Sequence, residues 1–155
     1  MPIEVRRFGV GFRRPEGPPG THGLTGQVIH SDGRGLISEL AFTRGGAIAP
    51  HENPNTTWFC VIEGGGWVQV GDERRRVAAG EAVLWPANET HAAWTEQGEM
   101  RAIVVEFPDS DTREMRTIVG RVGDVVGEVT ARGEGALSPG IPPVRHRDET
   151  SGEPL

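Results

Sequence analysis

Apolar and polar residues alternate along this chain in short runs, at 3–8, 27–30, 36–43, 57–62, 67–70, 75–77, 82–85, 91–94 and 101–107. A period of two puts successive side chains on opposite faces of an extended segment, so each run predicts a β-strand. Between the runs stand Asp32-Gly33, Gly45-Gly46, Gly64-Gly65-Gly66, Gly71-Asp72 and Ala79-Gly80, which punctuate them as turns. Short, closely spaced strands of this kind predict an all-β antiparallel sandwich or barrel. Within 57–62, Thr57, Phe59 and Val61 share one face while Trp58, Cys60 and Ile62 share the other. Both faces are largely apolar, so the outside of this sheet needs cover, and a homodimer or a terminal segment is expected to supply it.

The ends of the chain read differently. Residues 1–26 form an N-terminal arm, with a short strand at 3–8 and a loop marked by Pro15, Gly17, Pro18, Pro19 and Gly20. The barrel is assigned to 27–108. Beyond Pro108, Asp111 with Glu114 three residues on reads as a helix start, and Met115, Ile118, Val119 and Val122 follow at helical spacing. One short C-terminal helix is therefore expected over 109–127, weakened by Gly120 and Gly123 at about 1 kcal/mol each relative to alanine. Residues 128–155, rich in Gly, Pro and charge, predict a flexible tail.

A chain of 155 residues suffices for one domain with a real core. Its 16 basic residues are all arginine, and neither lysine nor tyrosine occurs, which excludes a lysine Schiff base and tyrosine acid/base chemistry. The net charge of −6 argues against nucleic acid as a partner, since phosphate binding needs clustered positive charge. No apolar run approaches the roughly 20 residues of a membrane helix and no secretory signal is evident, so a cytoplasmic location is expected. Cys60, the single cysteine, lies inside Trp58-Phe59-Cys60-Val61-Ile62 and reads as a small buried hydrophobe rather than a nucleophile.

Two stretches carry the chemistry. In the first, Gly45 is followed after five residues by His51, then Asn53, Thr57 and Gly64. In the second, Gly80 is followed after five residues by Pro86, then Asn88, His91 and Thr95. This spacing resembles the two signature motifs of the cupin family, G-x5-H-x-H-x3–4-E-x6-G and G-x5-P-x-G-x2-H-x3-N. The resemblance covers roughly residues 35 to 107 and implies a cupin-type β-barrel or jelly roll. It also implies that His51, Asn53, Thr57 and His91 converge near one end of the barrel.

The resemblance further implies a divalent metal, with zinc, nickel, iron and manganese all open, on His51, His91 and Asn53. The chain departs from the family pattern where that chemistry is done. Asn53 replaces the second histidine, Thr57 the glutamate, Asn88 the turn glycine and Thr95 the final asparagine. Losing a carboxylate leaves a neutral donor set and weakens metal binding. Glu39, Glu106 and His30 are other donors, none at a family position, and they are read as outward or structural residues.

Phe59, Trp67, Trp85 and Trp94 are the aromatics expected to wall the pocket, with Trp58 left to packing. With a metal, the resemblance implies an oxygenase, isomerase or lyase acting on a small organic molecule. Without one, His51 or His91 serves as general acid/base while Asn53 and Thr57 orient a polar ligand group. Alternatives from other classes are a non-enzymatic ligand-binding or sensor barrel and a purely structural dimer module.

Overall fold

The structure is a computed structural model describing residues 2–108 and the four residues Arg116–Thr117 and Gly120–Arg121. The chain divides into two units, Met1–Asp109 and Ser110–Glu153. In the first, eight strands follow in order: β1 (Arg14–Pro15), β2 (His22–Asp32), β3 (Gly35–His51), β4 (Asn55–Val70), β5 (Glu73–Ala78), β6 (Ala82–Trp85), β7 (His91–Trp94) and β8 (Met100–Pro108). In the second, β9 (Arg116–Thr117) pairs antiparallel with β10 (Gly120–Arg121).

Two long strands close the barrel by changing partners along their length. The first half of β3 pairs with β8 through Leu36↔Glu106 to Phe42↔Met100, and its last residues pair with β7 through Ala47↔Trp94 and His51↔His91. β4 does the same in reverse, running beside β8 from Asn55 to Gly64 and beside β7 from Trp67 to Val70. The ring β3–β7–β4–β8 is thus closed by hydrogen bonds, which removes its sheet edges. β2 extends one side, while β5 and β6 flank β4. The core lies between the faces, with Phe42, Phe59, Met100 and Ala102 at 2% exposure or less. Phe42 meets Phe59 edge-on at 6.1 Å.

The runs at 82–85 and 91–94 match β6 and β7, whereas those at 57–62 and 67–70 are one strand. Gly64-Gly65-Gly66 continues the ladder instead of ending it, with Gly64 opposite Met100 and Gly65 opposite Ala78. Gly64 has φ of 70°, and a Cβ there would collide with the Glu99 carbonyl, so only glycine passes that point without strain.

The strand expected at 3–8 does not form. Ile3 and Val5 are 90% and 80% exposed, and among the described residues no strand pairs with this segment. Polar anchors hold the arm instead: Arg6 donates to Ile29 O at 2.8 Å and Gln27 Nε2 donates to Arg7 O at 2.9 Å. The helix expected over 109–127 and the tail over 128–155 lie outside the described residues, apart from β9 and β10, which are extended.

The outer face of the barrel is covered only in part. Arg13 from the arm reaches Glu39, leaving Trp58, Ile62, Leu84 and Ile37 each about 40% exposed. Cys60 is half-buried there, and burial pushes its thiol pKa up, which fits the apolar reading.

Candidate active site

Motif spacing becomes geometry at the end of the β3–β7 ladder. His51 and His91 are Cα partners across it, and their rings stand 4.4 Å apart at 69°. The backbone ties the two motifs together nearby, Asn88 N–H donating to Asn53 O at 2.7 Å. Asn88 has φ of 61°, the left-handed turn conformation for which the family motif uses glycine and which asparagine tolerates best among side-chain-bearing residues. Thr95 ties the other end of the motif pair: its N–H donates to Gly46 O at 2.9 Å, and its hydroxyl donates to Thr43 O at 2.5 Å and accepts from Gly46 N–H at 3.1 Å.

Each imidazole is fixed by a carbonyl. His51 Nδ1 lies 2.8 Å from Ala49 O and His91 Nδ1 3.0 Å from Glu89 O. A carbonyl only accepts, so the hydrogen of each neutral ring sits on Nδ1 and Nε2 carries the free lone pair. His91 stacks on Trp85 at 4.2 Å, and Trp85 stacks on Phe59 at 4.7 Å, which sets the ring plane of the histidine. Burial pushes His91 down to about 4, aided by the neighbouring His51 and opposed by the bond to Glu89 O, so its ring is neutral at pH 7.

His51, His91 and Trp85 line a cavity of about 230 Å³. Leu24, Leu40, Ile48 and Val104 give it apolar walls, and Glu16, Gly17 and Pro18 of the N-terminal loop border it. Thr21 holds that loop near His51, its Oγ1 accepting from Ala49 N–H at 3.0 Å. Among the described residues, four buried side-chain polar atoms lack a hydrogen-bond partner: Gln27 Oε1, Thr57 Oγ1, Trp85 Nε1 and His91 Nε2. All four belong to residues of this cavity's lining. Leaving a buried polar group unpaired costs about 1–3 kcal/mol, so these four atoms are the donors and acceptors that the cavity offers to whatever occupies it.

Of the residues expected at the site, His51, His91, Asn53, Thr57 and Trp85 come together around this cavity. Phe59, Trp67 and Trp94 do not line it. Phe59 is fully buried behind Trp85. Trp67 and Trp94 stack on each other at 6.3 Å, with Arg76 over the first and Arg74 over the second. Strand parity explains the last placement: Trp94 is three residues from His91 and so faces the other way, and Trp67 is flanked by the buried Gly66 and Val68.

The other donors also separate. Glu106 lines the cavity and is the cross-strand partner of Thr57, contrary to its reading as an outward residue. Glu39 faces away from the cavity, its carboxylate bonded to Arg13 at 2.8 Å and to Arg101 at 3.0 Å. His30 pairs with Asp32 on the surface. Sequence reasoning missed Gln27, Ser38 and the Glu16–Pro18 loop, for which the motifs hold no signal.

A family model described as a cupin domain matches residues 39–106. Residues 39–106 carry a cupin domain. Solved structures agree on the fold. The polyketide cyclase RemF from Streptomyces resistomycificus matches at 21% identity and a TM-score of 0.61, over 68% of this chain and 80% of that one. A predicted oxalate decarboxylase from Thermotoga maritima matches at 13% identity and 0.61, over 68% and 99%. KdgF from Halomonas sp. matches at 22% and 0.53, over 56% and 79%. No curated protein matches the sequence.

The donors of this cupin site do not reproduce the four-ligand set that the motif resemblance implies. Two imidazole nitrogens remain, while Asn53 Oδ1 accepts from Asn55 N–H at 2.9 Å and Thr57 offers a hydroxyl where a carboxylate is expected. Among the described residues, no three His, Cys, Asp or Glu side chains are grouped to hold one ion.

Proposed function

We propose that this chain is a cupin-barrel enzyme that binds a small organic molecule in the cavity and moves a proton on it through His51, with His91 as hydrogen-bond acceptor. The observation that carries this reading is the pair of Nε2 lone pairs, each fixed by a carbonyl at its own Nδ1 and set beside buried polar atoms without partners. Kinship of fold with a polyketide cyclase and a predicted oxalate decarboxylase supports an enzyme of small molecules.

The division of labour follows from burial. His91 is 1% exposed and shifted down to about 4, too weak a base to carry the proton, so it stays neutral and accepts a hydrogen bond from the ligand. His51 is less buried, and its Nε2 takes a proton from a C–H or O–H of the ligand. Thr57 O–H and Trp85 N–H donate to the oxygen on which negative charge develops. The proton returns from His51 to another atom of the same molecule, giving an isomerisation, or leaves with a departing hydroxide as water, giving a lyase reaction. Thr57 stands where the family arrangement has a carboxylate, so the residues present do not fit the family's metal site and His51 carries the proton.

Exchange of enolisable hydrogens tests this. A panel of small hydroxyketones in D₂O is expected to lose C–H signal faster with the protein than without it, and His51→Ala is expected to abolish the difference. Equal rates for the two proteins would overturn the assignment.

A further inference from the structure

We propose that the cavity selects an uncharged ligand carrying neighbouring hydroxyl and carbonyl groups, and rejects its carboxylate or phosphate counterpart, because among the described residues the acidic Glu106 and Glu16 line it and no arginine does. This deepens the functional reading above and rests on it.

The charge argument is one of composition. Among the described residues the lining contains no arginine, in a chain that has no lysine. Several arginines are engaged elsewhere: Arg13 and Arg101 on Glu39, Arg34 on Asp32, and Arg74 and Arg76 over Trp94 and Trp67. An anion entering here would lose its hydration, find no cation, and meet two carboxylates. Glu106 is held in place, its Oε1 accepting from Asn55 Nδ2 at 3.2 Å.

The shape of the polar set specifies the rest. Trp85 Nε1 can only donate, His91 Nε2 accepts, and Thr57 Oγ1 does either. All three residues are 3% exposed or less. Trp85 stacks on His91, so donor and acceptor rings are immediate neighbours. A carbonyl satisfies Trp85 and Thr57 while an adjacent hydroxyl satisfies His91. The apolar walls take a hydrocarbon body.

Two probes matched in size differ only in this property: 2′-hydroxyacetophenone, which is neutral, and salicylate, which is anionic at pH 7. Calorimetry on the intact protein is expected to show the ketone binding at least tenfold tighter. In Glu106→Gln with Glu16→Gln, the ratio is expected to fall several-fold, chiefly because salicylate gains. Thr57→Val is expected to weaken the ketone.

Salicylate binding as tightly as the ketone, in a manner lost in His91→Gln, would overturn the charge selectivity and leave the cavity reading standing. Ketone binding unaffected by both His91→Gln and Thr57→Val would overturn the cavity reading itself. Failure of both probes to bind would overturn the proposed ligand class.

Discussion

Thr57 and Glu106 are directly opposed across the β4–β8 ladder, one at the motif position that carries a glutamate in the family pattern and the other on the neighbouring strand. Both line the cavity. A glutamate at 57 would stand against Glu106, and like charges directly opposite are destabilising unless a cation lies between them. The hydroxyl at 57 and the carboxylate at 106 are therefore one arrangement. It leaves one carboxylate in this cross-strand pair.

Metal content follows from that pairing. Protein purified without a histidine tag is expected to hold well under one divalent ion per chain by elemental analysis. Thr57→Glu supplies a second carboxylate, and is expected to raise that content and to melt higher with added zinc. Near-stoichiometric metal in the unaltered protein, lost in both His51→Ala and His91→Ala, would show that the two imidazoles suffice.

Stability should depend on pH through His91. An unfolded histidine titrates near 6.5, while His91 in the fold is shifted down to about 4 by burial. Between these values the unfolded chain binds the extra proton, so stability is fully present above about 6.5 and is lost as pH falls toward about 4. The loss is on the order of 3 kcal/mol, and urea titrations of His91→Gln should lack that component of the slope.

The Glu39 cluster should be a stability element without a catalytic share. Its carboxylate is fully buried, and burial alone would raise its pKa, but Arg13 and Arg101 hold it below the usual carboxylate range. Removing one partner of a buried pair costs about 3–5 kcal/mol. Arg101→Ala leaves Arg13 in place, so a loss of about 2–3 kcal/mol in denaturant is expected. Ketone binding by the cavity should be unchanged.

Asn88 offers a backbone test of the site's frame. Asn88→Gly should be nearly neutral in stability, whereas Asn88→Val forces a branched side chain into φ of 61° and should cost about 1–2 kcal/mol. The same substitution should loosen the Asn88–Asn53 link between the motifs. Broadening of the His51 and His91 ring signals in NMR would report it.

Much of this molecule was legible along the chain. Alternation marks most of the strands, because the period of two is a local consequence of backbone geometry. The resemblance of the two motifs to the cupin pattern implies that His51 and His91 meet. The glycines at 45–46 and 64–66 lie inside β3 and β4 and do not end them. Parity also places Trp94: three residues from His91 along one strand turn that indole away from the cavity. The arm at 3–8 shows the opposite limit, since alternation makes a strand possible but only a neighbouring strand makes it real.

What the sequence determined by itself is the barrel and the identity of its two imidazoles. Only the tertiary structure decided which side chains share their cavity. Glu106 and Gln27 reach it from strands remote in sequence, and the Glu16–Pro18 loop borders it from the arm, because barrel closure brings together positions whose separation along the chain carries no periodic signal. The same closure leaves buried polar atoms of four lining residues without partners. Their shared cavity is visible only once the ladder registers are known.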